Sequence, residues 1–314
     1  MKRPDAGRGA GRTSNPAGRH PGTPDGVGER GPGNLPGRYG AQRPGRPSRP
    51  AERPAAPAEG LGGEQVEGYH AVYRLIDAQR RRCRLLWADA RLAAGPLREL
   101  VSLARQRGVQ VELKEAHQLA TASRTSSAQG VLAWADPLPA VPLEAMLSSS
   151  AGLLLLVLDG VTDPGNLGSI LRSAACAGTA GVVVGRHRSA PLNPAALKAA
   201  AGAAETLPVA QVPGIPSALA AIRSAGLWVV GLDPAAEDDL WASPLLDESV
   251  ALVLGSEGQG LSRLSRARCD ALARIPMSEA ARGVGSLNVA AACAVACFEV
   301  ARRRSLALPP RHAR

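Results

Sequence analysis

From residue 153 to residue 303 the sequence alternates short, continuous apolar runs with stretches of helical spacing. The runs fall at 153–158, 182–185, 207–212, 227–232, 250–254 and 271–275; the helical stretches fall at 167–177, 195–204, 217–225, 261–267 and 288–303. A run that is apolar at every position, rather than at every second one, belongs to a strand covered on both faces. Alternation with helices therefore predicts an α/β domain with a buried parallel sheet. Ligands in such sheets lie outside the carboxyl ends of the strands, so the loops that follow the runs are where chemistry is expected.

Composition narrows the class. Aromatic residues make up only 3% of the chain, so the core must be built from Ala, Leu and Val. No apolar run approaches the roughly 18 residues of a membrane span. Five cysteines (83, 176, 269, 293, 297) form no CxxC pair, and the basic start lacks the apolar stretch of a secretory signal. Reduced thiols in a cytoplasmic protein are expected, with no membrane partner. The five histidines (20, 70, 117, 187, 312) are dispersed and cluster with no cysteine, so no metal site is expected.

The first sixty residues are different material, with 13 Gly, 11 Pro and only Met1, Val27, Leu35 and Tyr39 as large apolar residues. Such a segment cannot bury enough surface to offset its ordering entropy. It carries six of the ten net positive charges, which suits either a solvated tail or an arm that tracks RNA phosphates. The expected organisation is a disordered tail at 1–62, a small α/β module at 63–136, a Pro- and Ser-rich linker at 137–150, the parallel-sheet domain at 151–306 and a short tail at 307–314. In the small module the spacing predicts helices over 67–79, 96–107 and 115–122, and strands over 84–88, 109–113 and 130–135.

Three loops of the large domain carry unusual text. The first, DGVTDPGNLGSILRS from Asp159, holds a turn and then Asn166, a candidate cap for a helix from Leu167. The second, LGSEGQGLS from Leu254, sets one carboxylate, Glu257, among three glycines; without a following Lys it is no phosphate loop. The third runs from Ile275-Pro276-Met277 to Gly283-Val-Gly-Ser286-Leu287-Asn288, with Ser286 or Asn288 placed to cap a long helix. Capping or surface exposure alone accounts for any one of these residues. Arg186, His187 and Arg188, with Arg263, Arg266 and Arg268, form a candidate basic patch for RNA phosphates.

Taken together, the segments DGVTDPGNLGSILRSAACAG, ALVLGSEGQGLSRLSRARCD and IPMSEAARGVGSLNVAAACA resemble, in content, order and spacing, the three motifs of the SpoU (TrmH-type) RNA ribose 2'-O-methyltransferases of the SPOUT superfamily. The resemblance covers residues 150–305. EGYHAV and SAQGVLA extend it to the ribosomal-protein-like substrate-binding domain of ribosomal-RNA members, with Ala128-Gln129-Gly130 where those members carry His-Gln-Gly. The resemblance implies a C-terminal trefoil knot, S-adenosyl-methionine as cofactor, a homodimer with a shared site, and methylation of a ribose 2'-hydroxyl in RNA, expected to be 23S ribosomal RNA. It assigns function to Asn166, Arg172, Glu257, Ser286 and Asn288. It places Leu254, Gly255, Gly260, Ile275, Met277, Leu287 and Val289 around the cofactor. Because a guanidinium stays protonated in proteins, Arg172 reads as a phosphate anchor rather than a base. A catalytically silent RNA-binding protein on this fold and a transfer-RNA methyltransferase are the alternatives.

Overall fold

The computed structural model describes residues 60–148, 152–278 and 285–307. The expected tails therefore lie almost wholly outside the described residues, as does the middle of the third loop. The tail expected to end at 62 gives way earlier to pairing, since Leu61 N donates to Leu138 O and Gly62 O accepts from Leu138 N.

The first half builds β1 (Gln65–Glu67), α1 (Tyr69–Ala78), β2 (Cys83–Asp89), α2 (Arg98–Gln106), β3 (Gln110–Lys114), α3 (Ala116–Ala122) and β4 (Val131–Ala135). Its sheet has the order β1-β4-β2-β3, with β2 and β3 parallel and the other pairs antiparallel. The predicted helix over 67–79 is corrected at its start. Residues Gln65–Glu67 pair with β4, and Gly68 breaks the run at φ 91°, a conformation only glycine adopts cheaply. Glu67 is then buried and accepts from Ser123 Oγ, Thr125 Oγ1 and the Arg124 and Thr125 N–H groups, which fastens the loop before β4. Gln129, at φ 53°, offers Oε1 to Tyr69 N at the start of α1.

Of the expected linker at 137–150, the described residues 137–148 are packed instead. They hold the short helix α4 (Leu143–Leu147), with Leu138, Leu143 and Met146 buried and Val141 N bonded to Val209 O. The prolines read as a spacer, but Leu138 and Leu143 beside them face the core.

The second half contains β5 (Leu154–Asp159), α5 (Pro164–Cys176), β6 (Gly181–Gly185), α6 (Pro194–Ala200), β7 (Val209–Val212), α7 (Ile215–Ser224), β8 (Trp228–Leu232), β9 (Val250–Gly255), α8 (Arg263–Arg266), β10 (Ala271–Ala273) and α9 (Val289–Ala307). The strands form one parallel sheet in the order β10-β8-β9-β5-β6-β7. The reason for their unbroken apolarity is visible in β5. Leu154, Leu156 and Leu158 join the core under α5, α6 and α9, while Leu155 and Val157 join the core under α4 and α7. Each such buried leucine contributes about 1.5–3 kcal/mol. The helix expected over 195–204 stops at Ala200, because Ala201 and Gly202 take positive φ and a single 3-10 turn follows at Ala203–Glu205.

The two halves share one continuous core. Arg81, from the turn before β2, reaches Glu205 through Nε at 3.1 Å and Nη2 at 2.5 Å, with both side chains 2% exposed. Arg81 also donates to Gly63 O and Asp136 O, and Arg80 donates to Ala204 O and Leu207 O. A buried charge pair so fully hydrogen-bonded fixes one docking geometry. No described helix is long and apolar enough to cross a membrane.

Candidate functional site

The central strands β5 and β9 lie side by side, with Asp159 paired to Gly255, so their carboxyl ends deliver two of the three motif loops to one place. Asp159 ties them together by accepting from Ser262 N at 2.8 Å. In the first loop Asp163 Oδ1 accepts from Asn166 N at 2.7 Å and Pro164 takes the first helical position. This corrects the expected cap. A proline is favoured at that position, so α5 begins a turn earlier and Asp163 is its cap. The side chain of Asn166 is thereby released for another partner.

That partner is Glu257. The second loop closes on itself, with Ser256 and Gly260 exchanging both backbone hydrogen bonds at 3.0 and 2.9 Å. The closure is so tight that a Cβ on Gly255 would lie 2.1 Å from the Gly260 carbonyl carbon. Glu257 stands at the tip, exposed, and its Oε1 accepts from Asn166 Nδ2.

The third loop brings Asn288. Its Oδ1 accepts from Ala290 N at 2.9 Å and from Ala291 N at 3.4 Å, capping α9 as expected. With its oxygen committed to the helix, its amide nitrogen faces the other two loops and donates to Asn166 Oδ1 and to Glu257 Oε1, both at 3.1 Å. Three side chains from the three motif segments, 91 and 31 residues apart, thus form one closed hydrogen-bonded group.

Beside this group lies a cavity of about 800 Å³. Every residue expected around a cofactor lines it: Leu254, Gly255, Gly260, Ile275, Met277, Leu287 and Val289. Glu257, Ser286 and Asn288 line it too. Among the described residues, no aromatic side chain does. Sequence reasoning missed Leu232, Asp233 and Arg274 on the same wall. Asp233 follows the strand run at 227–232, so the rule that pointed to the other loops applied to it. It is 9% exposed, paired with Arg266, and holds Ala235 N at 2.8 Å.

Arg172 is not part of the group. Six residues beyond Asn166, it stands about 120° around α5 and roughly 9 Å along its axis. It is exposed and lines a different groove with Tyr73 and Cys176. Of the candidate basic patch, Arg186, His187, Arg188, Arg263 and Arg268 are exposed, while Arg266 is engaged by Asp233. Among the described residues, no three of His, Cys, Asp and Glu gather in a way that could hold a metal ion.

The chain matches known proteins along nearly all of this architecture. Residues 153–298 match the model of the SpoU rRNA Methylase family, and residues 65–141 match that of RNA 2'-O ribose methyltransferase substrate binding. The chain is 38% identical over 251 residues to the 23S rRNA (guanosine-2'-O-)-methyltransferase RlmB of Pseudomonas syringae pv. tomato, covering 79% of this chain and 98% of that protein. It is 36% identical over 245 residues to RlmB of Escherichia coli, covering 77% and 99%. Among solved structures it is similar to the SpoU methyltransferase AviRb from Streptomyces viridochromogenes in complex with AdoMet. That match has a TM-score of 0.65 and 27% identity, over 77% of this chain and 90% of that one.

Proposed function

The chain belongs to the SpoU rRNA methylase family, and on that premise we propose that it transfers a methyl group from S-adenosyl-methionine to a ribose 2'-hydroxyl of RNA, with 23S ribosomal RNA as the substrate. The observation that carries this reading is the hydrogen-bonded group of Asn166, Glu257 and Asn288 beside a cavity walled by the second and third motif loops and by the turn after β8. A silent RNA binder has no need of such a group.

The cavity suits the cofactor. Its volume of about 800 Å³ lies within the range of small-molecule sites. Leu254, Ile275, Leu287 and Val289 offer aliphatic surface to an adenine, and the closed glycine loop offers backbone groups where side chains would intrude. Glu257 supplies negative charge on the wall for a cationic ligand. When bound, the cofactor supplies an electrophilic methyl group on a sulfonium.

The remaining tasks fall to the chain. Both amides converge on Glu257 Oε1, which fixes the carboxylate and leaves Oε2 to accept from the ribose hydroxyl. Arg172, always protonated, grips the phosphate of the target nucleotide through paired N–H groups and stabilises negative charge as it grows on the 2' oxygen. Ser286 positions ligand at the cavity edge. Holding the oxygen in line behind the methyl group supplies much of the rate, since orientation contributes up to about 7–11 kcal/mol in well-aligned reactions.

Arg172 and Glu257 meet across a homodimer in this reading. Arg172 points away from the group on its own protomer, and α9, which packs on α5, leaves Phe298 49% and Val295 37% exposed. Apolar surface of that kind suits burial against a second copy. The partner's Arg172 then completes each site. The trefoil knot and a cytoplasmic location belong to the same reading.

Incubation of the protein with tritiated S-adenosyl-methionine and total bacterial RNA tests the proposal. Label is expected in 23S RNA; label confined to transfer RNA would overturn the substrate, and none on any RNA would overturn the activity.

A further inference from the structure

A second cavity, of about 570 Å³, opens between α1 of the small module and the α5–α6 side of the large sheet. It is lined by Tyr69, Tyr73 and Arg74 from α1, by Glu99 from α2, and by Arg172 and Cys176 from α5. The chain has only three tyrosines, and two of them are here. Tyr69 and Tyr73 lie one helical turn apart and half-buried, with ring centroids 6.0 Å apart and planes inclined by 27°. Among the described residues Arg74 pairs with Asp77 alone, at 3.0 Å on the helix surface, a pairing that an incoming phosphate would readily displace. The wall below is close-packed: a Cβ on Gly202 would lie 2.5 Å from Arg74 Cβ.

We infer that this groove holds unpaired RNA nucleotides adjoining the target, with a base against the Tyr69–Tyr73 pair and its phosphates on Arg74 and Arg172. The inference rests on the methyltransferase reading, to which it adds the path of the substrate. Aromatic faces interleaved with guanidinium groups are the combination that binds single-stranded nucleic acid, because every base has a π-face and every linkage a charge. Glu99 accepts from a base N–H. The groove holds the Arg172 that completes the reaction centre proposed on the partner subunit, so a strand lying in it leads the neighbouring ribose toward that subunit's methyl group. It also gives the small module a task that its fixed docking through Arg81 and Glu205 makes possible, since both walls hold a constant spacing.

Cys176 is an exposed thiol on the groove, whereas the other four cysteines are half or fully buried. The test is its alkylation by iodoacetamide, followed by peptide mass spectrometry on the full chain. It is run with and without a saturating mixed-sequence twelve-nucleotide single-stranded RNA. RNA is expected to slow alkylation of Cys176 at least fivefold. Tyr73→Ala should weaken binding of the same RNA about tenfold, and Tyr73→Phe should restore it, with cofactor affinity unchanged in both. Unchanged alkylation in saturating RNA, or equal affinity in Tyr73→Ala, overturns the assignment. So does a Cys176 already shielded without RNA, which would put a second copy of the chain in the groove. Protection of Cys176 by RNA without any methyl transfer would instead remove the methyltransferase reading and leave the groove standing.

Discussion

Asn288 gives its amide hydrogens to Glu257 and Asn166 because its carbonyl oxygen is committed to Ala290 N at the start of α9. A helix cap thus sets the orientation of a group in the proposed reaction centre. Asn288→Asp keeps the capping acceptor and removes the donor, leaving a second carboxylate against Glu257. The kcat for RNA methylation should fall about 100-fold or more, while the thermal midpoint stays within about 3 °C of wild type. Asn288→Ala should lose as much activity and also about 1 kcal/mol of stability with the cap. Steady-state kinetics and a thermal melt separate the two effects.

Arg172→Ala should abolish turnover and leave cofactor affinity within about threefold, measured by calorimetry, because Arg172 lines no part of the cofactor cavity. If each site is completed by the partner's Arg172, mixing Arg172→Ala with Glu257→Ala subunits should restore up to a quarter of wild-type activity. Each mixed dimer would carry one intact site. No recovery on mixing would show that both residues act within one protomer.

Gly255→Ala should abolish cofactor binding, since its Cβ has no room against Gly260 and the closed loop would have to open. The same substitution at Gly226, where nothing lies within 4 Å, should leave cofactor affinity unchanged. Equilibrium dialysis with labelled cofactor distinguishes them.

Breaking the Arg81–Glu205 pair on one side should cost about 3–5 kcal/mol, because the surviving charge stays buried without a partner. Urea denaturation of Arg81→Met and Glu205→Leu should show this. The double variant should recover a large part of the loss.

Acid should unfold the chain through carboxylates that the fold holds below their ordinary range. Glu299 sits at about 2, drawn down first by hydrogen bonds from Arg302 and then, against the opposing effect of burial, by Arg303. Burial pushes Glu67 up, but hydrogen bonds from Thr125, Arg124 N–H and Ser123 outweigh it and bring it below the usual value. Both pKa values are lower folded than unfolded. Their stabilisation is therefore complete above about pH 4.5 and lost as the pH falls toward 2. Glu299→Gln should flatten the stability curve in that window and lower stability at neutral pH, where the charged pairs with Arg302 and Arg303 are complete.

The parallel sheet was legible in the sequence because a strand covered on both faces must be apolar throughout, as β5 and β9 are. The three loops were legible because Gly, Pro, Asn and Glu interrupt that pattern at the strand ends. What joins them was not. The bond from Asn166 to Glu257 spans 91 residues, and local spacing carries no information at that range. The identity of the α5 cap turned on Asp163-Pro164, a pair that reads equally as a turn or as a cap followed by a first helical residue. Strand β1 was hidden because Val66 falls in phase with Tyr69 and Tyr73 of the helix that follows. The packed segment at 137–147 was hidden by its prolines, and the cavity wall at Asp233 by a turn that lacks glycine.

The central claim is that this chain methylates a ribose oxygen, and alkaline hydrolysis of the product tests it most directly. A 2'-O-methyl group blocks cleavage of the adjoining phosphodiester. RNA labelled by the wild-type protein from tritiated S-adenosyl-methionine should therefore yield its tritium in an alkali-stable dinucleotide, at one position of 23S RNA, and Glu257→Ala should yield none. Tritium released in mononucleotides would place the methyl group on a base and contradict the account.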